Sequence, residues 1–219
     1  MRNEIKFPIN NNLDLNFQSW KDFKKQVRRL HDDRIVSSIY YDTENFSAAN
    51  NNLMGISNRS KYRIRWYNDE KSNFFYEIKI KKNNLGKKII LKSKEGLKNT
   101  DNYFSHKNVF LKEKENEFFL NHINEFNLKP VLKISYLRSY FIFNKKVRMT
   151  YDRNIKYTFL NRYNIKDNEI KDFMNVLELK FNQENHGIAG DLVKDMNFIP
   201  KRFSKYLRGL YLTGKAIYF

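Results

Sequence analysis

Arg59-Ser60-Lys61-Tyr62-Arg63-Ile64-Arg65-Trp66-Tyr67 alternates between charged and apolar residues from Lys61 to Trp66, with Arg59 in the same phase as Lys61. Successive side chains of a strand point to opposite faces, so this stretch predicts a strand with cations on one side and aromatic or branched residues on the other. The same period recurs in Tyr76-Glu77-Ile78-Lys79-Ile80, Val147-Arg148-Met149-Thr150-Tyr151-Asp152 and Leu177-Glu178-Leu179-Lys180-Phe181. One such strand is an ordinary solvated edge. Four in one chain predict a shared cationic surface containing a few carboxylates, and a polyanion as its ligand.

Composition agrees in sign. Lys and Arg total 42 against 24 Asp and Glu, a net charge of +18 on 219 residues, which favours nucleic acid, anionic membrane or polyphosphate as partner. The apolar share of 41% and aromatic share of 16% are enough for a substantial core and argue against disorder. Without cysteine there are no disulfides, thiolate zinc sites or cysteine nucleophiles. No apolar run reaches the roughly 20 residues of a membrane span, and Met1 to Ile9 lacks a signal-peptide core. These features give the expectation of a cytoplasmic protein. Only seven Gly and three Pro, with no linker-like stretch, predict one domain over residues 1–219.

The periodicities predict a strand at Asn3 to Pro8 and a helix from Asp14 to Leu30, with Leu15, Trp20, Phe23, Val27 and Leu30 on its apolar stripe and Asp14 as cap. Strands are expected at Val36 to Tyr41, Lys61 to Tyr67, Phe74 to Lys81, Lys87 to Leu91, Val131 to Phe143, Lys146 to Asp152, Lys156 to Leu160 and Asn175 to Phe181. Helices are expected at Leu111 to Asn124, Ile188 to Asp195 and Ser204 to Leu212. Closely spaced strands with few crossover helices favour an antiparallel sheet. The expected fold is α+β: a closed, eight-stranded antiparallel β-barrel with a polar interior, wrapped by a few α-helices. Closure would remove exposed strand edges, and helices outside would cover the apolar faces.

Eight segments in order carry a family resemblance: Glu4-Ile5-Lys6-Phe7, Ser38-Ile39-Tyr40-Tyr41-Asp42-Thr43, Lys61 to Tyr67, Tyr76-Glu77-Ile78-Lys79, Tyr136-Leu137-Arg138-Ser139-Tyr140, Arg148-Met149-Thr150-Tyr151-Asp152, Leu177-Glu178-Leu179-Lys180-Phe181 and Arg202-Phe203-Ser204-Lys205-Tyr206. Together they resemble the catalytic domain of the vacuolar transporter chaperone (VTC) polyphosphate polymerases, of the triphosphate tunnel metalloenzyme superfamily. The resemblance implies a tunnel that binds ATP or a similar nucleoside triphosphate with Mn²⁺ or Mg²⁺, and extends a polyphosphate chain. It also implies that Lys6, Arg63, Arg65, Lys79, Arg138, Arg148, Lys180, Arg202, Ser204 and Lys205 contact phosphate, with Arg63, Arg65, Lys79, Arg138, Arg148 and Lys205 catalytic. Glu178 resembles the metal-binding carboxylate, with Glu77 as a helper. Arg202 stands where the family's Lys-Phe-Ser-Lys clamp has its first lysine, and a forked guanidinium is a different donor from a point-like ammonium.

Elementary chemistry supports these roles. Phosphoryl transfer spreads charge over oxygens, so its catalysis consists mostly of positioning and electrostatic stabilisation. Arg63 and Arg65, roughly 6.5–7 Å apart along one strand face, can touch different phosphates. A hard divalent cation needs only one or two carboxylates when phosphates supply other ligands. Arg59 and Lys61 share that face but suit a solvated rim, Glu4 stands alone where tunnel hydrolases carry more acid, and Asp152 either caps a turn or orients an arginine. His31, His106, His122 and His186 show no metal-ligand spacing. Lys24-Lys25 with Arg28-Arg29, and Lys81-Lys82 with Lys87-Lys88, read as solvated faces or a landing area for a polyanion. No RNP-like, zinc-finger or helix-turn-helix signature supports nucleic acid. Hydrolysis of tripolyphosphate or a nucleoside triphosphate, and non-catalytic binding of polyphosphate or nucleic acid, are the alternative readings.

Overall fold

A computed structural model describes residues 2–68, 73–83, 85–93, 117–160 and 169–215. Its strands are β1 (Arg2–Ile9), β2 (Val27–Asp42), β3 (Arg59–Tyr67), β4 (Phe74–Lys82), β5 (Leu85–Lys92), β6 (Lys129–Phe143), β7 (Val147–Phe159), β8 (Glu169–Lys171) and β9 (Asn175–Asn182). Its helices are α1 (Asn11–Phe23), α2 (Ser47–Leu53), α3 (Glu117–Glu125), α4 (His186–Met196) and α5 (Lys205–Leu212). The strands form one nine-stranded sheet in the order β1-β9-β7-β6-β2-β3-β4-β5, with β8 beside β7. Its ladders β1–β9, β7–β9, β2–β3, β3–β4 and β4–β5 are antiparallel. The expected α+β class and antiparallel pairing are present, and the hydrogen-bonded series runs between two end strands, β1 and β5.

The chain builds two compact units, the first from residues 1–35, 136–156 and 171–204, the second from 36–135, 157–170 and 205–219. In the first, Phe7 and Ile9 of β1, Met149 and Tyr151 of β7, and Leu177, Leu179 and Phe181 of β9 form one apolar face. Phe17 of α1 and Ala189, Leu192 and Met196 of α4 cover it. In the second, Ile39 and Tyr41 of β2, Tyr62, Ile64 and Trp66 of β3, and Phe74, Tyr76 and Ile78 of β4 pack under Phe119 and Ile123 of α3. Each large side chain buried this way contributes roughly 1.5–3 kcal/mol. Strand alternation therefore leaves the charged residues of both units on the face opposite their helices.

Several expectations are corrected. The first helix starts at Asn11, capped by the Asn10 side chain rather than Asp14, and ends at Phe23. Residues 24–26 turn, and β2 runs for 16 residues from Val27, so Val27, Arg28, Arg29 and Leu30 are strand residues. The core-facing stripe of α1 is buried Phe17 flanked by partly buried Leu13 and Trp20, whereas Leu15 and Phe23 are exposed. Val27 fits either period, and packing against the first core selects the strand. The two strands expected on either side of residues 153–155 are one, β7, which passes through Asn154 in the left-handed region. Of the helix expected at Leu111 to Asn124, residues 111–116 lie outside the described ones. α2 and β8 were not anticipated from the sequence.

Candidate functional site

In the first unit, strand register places Lys6 opposite Glu178 and Glu4 opposite Lys180. On the other side of β9, Glu178 faces Thr150 and Lys180 faces Arg148. The side chains pair along their own strands: Lys6 Nζ lies 2.8 Å from Glu4 and Lys180 Nζ 2.5 Å from Glu178. Glu178 is buried, as is Asp152, whose carboxylate receives Arg138 Nε at 2.5 Å and Nη2 at 2.7 Å. Asp152 therefore orients an arginine rather than capping a turn. Burial disfavours the Arg138 cation, but the Asp152 charge prevails and raises its pKa further. Lys6 also donates to the Phe203 carbonyl, and Lys201 N donates to the Lys6 carbonyl, which lays the segment with Arg202 and Ser204 along β1. Arg148 and Arg202 are exposed.

Thr150 supplies an observation that pattern reading missed. Its Oγ1 is buried without a hydrogen-bond partner, directly across the ladder from Glu178. A buried hydroxyl left without a partner is costly. With a carboxylate opposite, it forms a pair of hard oxygen donors suited to Mg²⁺ or Mn²⁺, which draw their other ligands from phosphate and water. The residues present fit such an ion, although no cluster of three His, Cys, Asp or Glu exists among the described residues.

The second unit is built differently. Arg63 and Arg65 stand beside Tyr40 and Ser38 on β2, and Arg63 faces Glu77 on β4. Glu77 Oε2 accepts from Arg63 Nε at 2.5 Å, and Glu77 Oε1 from Lys88 at 2.7 Å. Arg65 Nε donates to Ser38 Oγ at 3.1 Å. Burial opposes charge on Glu77, but Arg63, Arg65 and Lys88 outweigh it and hold the carboxyl down at about 2. Both Glu77 oxygens thus serve cations, and a metal there would have to displace them.

Beside this cluster the ladders align Lys61 with Lys79 and Lys79 with Lys88, three lysines in register across β3, β4 and β5, of which Lys88 is paired with Glu77. Like charges directly opposite one another are destabilising, and an anion lying across them removes the penalty. From sequence Lys88 reads as part of a cluster that is either a solvated face or a landing area for a polyanion; its place beside Glu77 depends on hairpin register, which the local pattern does not encode. Tyr40 was likewise missed as a functional residue. Its hydroxyl accepts from Arg63 Nη1 at 2.8 Å. Burial resists its ionisation, yet the charges of Arg63, Arg65 and Lys61 bring the phenol down to about 8. Lys205 opens α5, where the next residue, Tyr206, is buried.

No described helix is long and apolar enough to cross a membrane. Comparison with curated proteins finds no match. Among solved structures, a protein from Pyrococcus horikoshii OT3 superimposes with a TM-score of 0.54 at 14% identity, covering 98% of this chain and 99% of its own. A Hippeastrum protein, described as revealing a dominant triphosphatase activity, gives 0.54 at 12% identity, covering 99% of this chain and 98% of its own. A conserved protein from Pyrococcus furiosus gives 0.53 at 11% identity over 94% of this chain and 99% of its own. At such identities the likeness establishes the fold. The sequence model of the VTC domain matches residues 2–213, nearly the whole length, and the chain belongs to the VTC domain family.

Proposed function

We propose that the protein is a metal-dependent polyphosphate polymerase that transfers the terminal phosphate of ATP, or a similar nucleoside triphosphate, to a growing polyphosphate chain. The observation that carries this reading is the in-register row Lys61, Lys79 and Lys88 beside Arg63 and Arg65, a concentration of positive charge that Glu77 offsets only in part and that a linear polyanion would neutralise. The proposal includes a single domain over residues 1–219, the closed eight-stranded tunnel that the family resemblance implies, and a cytoplasmic setting in which the nucleotide is abundant.

In this mechanism Arg63, Arg65 and Lys79 hold phosphates in register, while Lys6, Arg138, Arg148, Lys180, Arg202, Ser204 and Lys205 contact phosphate oxygens elsewhere. Glu178 and Thr150 would hold the divalent cation, which supplies neutralisation of charge on phosphate oxygens. A terminal oxygen of the acceptor chain bonds to the γ-phosphorus, the bond to the bridging oxygen breaks, and the nucleoside diphosphate leaves with that electron pair. The arginines stabilise charge spread over the transferring group, and their preset geometry avoids reorganisation during the step. No serine, cysteine or histidine nucleophile enters.

Hydrolysis is the second reading, favoured by the triphosphatase description of the Hippeastrum structural neighbour; water would replace the acceptor oxygen. Incubation with ATP and Mn²⁺ or Mg²⁺, with products resolved by size, separates the two. Long phosphate chains are expected. Inorganic phosphate alone would select the hydrolase, and neither product, with Glu178→Gln matching the parent, would eliminate both.

A further inference from the structure

Within the second unit, a chain of contacts leads from the buried end of β2 to Arg63. Asp42 is fully buried, and its Oδ1 accepts from Thr43 N at 2.8 Å and Ala48 N at 2.9 Å. Its Oδ2 accepts from Ala49 N at 3.1 Å and from the Tyr206 hydroxyl at 2.7 Å. One carboxylate therefore caps α2 and tethers α5. Burial, reinforced by the Asp42 charge, keeps Tyr206 protonated as the donor. The Tyr206 ring stacks on Tyr40 at a centroid distance of 5.1 Å and an interplanar angle of 12°. Tyr40 then presents its hydroxyl to Arg63 Nη1, while Glu77 holds the Nε edge of the same guanidinium.

A guanidinium bound along one edge can still tilt about that contact. An acceptor on another nitrogen determines its plane, and a planar fork grips phosphate oxygens only in the correct plane. We propose that Tyr40 is a positioning residue that sets the plane of Arg63 toward substrate phosphate, and that Asp42 and Tyr206 fix the Tyr40 ring for this purpose. The tether has a second consequence: Lys205 precedes Tyr206, so the same hydrogen bond anchors the start of α5. Gly209 allows that helix to close on the unit, since a Cβ there would meet Tyr157 Cδ1 at 2.5 Å and Leu132 Cδ2 at 2.6 Å. This inference rests on the phosphate-binding reading of Arg63.

The test uses the full chain and inorganic tripolyphosphate without metal, by calorimetry, together with the Arg63 guanidinium N–H signals by NMR, assigned through their loss in Arg63→Lys. Tyr40→Phe keeps the ring stack and removes only the acceptor; it is expected to weaken tripolyphosphate binding about tenfold, the scale of a hydrogen bond to a charged group. Tyr206→Phe keeps its ring and is expected to weaken binding about threefold through the lost tether. Both variants should broaden or shift the Arg63 signals, whereas a merely structural role would change the unfolding midpoint and leave the affinity of the folded protein intact. Binding by the parent with unchanged affinity and signals in Tyr40→Phe overturns this inference alone. Absence of binding by the parent overturns the phosphate-binding reading and this inference with it.

Discussion

The two polar faces use carboxylates in opposite ways. On the first unit, Glu178 is buried, ion-paired with Lys180, opposite Lys6 on β1 and across from an unpartnered Thr150 hydroxyl on β7. On the second, Glu77 is equally buried, but its oxygens take Arg63 and Lys88, with Arg65 at 3.9 Å. Burial and strand alternation are shared; the number of cations each carboxylate serves is not. The contrast teaches that a carboxylate inside a cationic surface has room for a metal only where its oxygens have capacity left, and otherwise holds arginines in place.

The strongest way to break this contrast is to neutralise each carboxylate and measure Mn²⁺ binding in the presence of tripolyphosphate. Glu178→Gln is expected to lower metal affinity roughly 100-fold, at the upper end of what altering a metal's surroundings costs, whereas Glu77→Gln should leave it within about threefold. Equal losses would show that the two carboxylates are not specialised. A large loss in Glu77→Gln alone would reverse the roles.

Acid titration sharpens the contrast from the side of stability. The Glu77 carboxyl lies at about 2 in the folded protein against an ordinary 4.5, so its charge favours the folded state. That contribution, about 3 kcal/mol for such a shift, is fully present above pH 4.5 and disappears as pH falls through about 2. Chemical denaturation from pH 7 downward should therefore show the stability gap between parent and Glu77→Gln narrowing below pH 4.5. A gap independent of pH would mean that packing, not charge, makes Glu77 important.

Much of this arrangement is legible in sequence because alternation is a local property. The period of Arg59 to Tyr67 alone assigns Tyr62, Ile64 and Trp66 to the core and Arg63 and Arg65 to the polar face, as the structure has it. What escapes is whatever depends on register or on remote packing. Lys88 meets Glu77 only through the β4–β5 ladder, and Tyr206 reaches Asp42 across 164 positions of chain. Val27 and Leu30 satisfy the helical period as well as the extended one, so only their tertiary neighbours decide that they lie in β2. Glu77 and Glu178 look alike in sequence, each followed two positions later by lysine; their difference is made entirely by the strands beside them.

The smallest expected effect is a single phenol titration, and it tests the second face alone. The charged and titratable groups around Tyr40 are Lys61, Arg63 and Arg65 of β3, Tyr206 of α5 and the Glu77–Lys88 pair beyond Arg63. The cations dominate, so Tyr40 should ionise at about 8 rather than 10, giving one early step in tyrosinate absorbance that Tyr40→Phe removes. Because the folded pKa is depressed, ionisation adds stability as pH rises from about 8 and is complete above 10. The phenolate also competes with phosphate for Arg63, so tripolyphosphate affinity should begin to fall above pH 8 in the parent but not in Tyr40→Phe. Bound polyanion should oppose the titration in turn, since linkage is reciprocal: saturating tripolyphosphate should move the early step upward. A step that stays at 10 with and without the anion would show that the three cations do not converge on Tyr40, and with that the cation-saturated character of this face would fail.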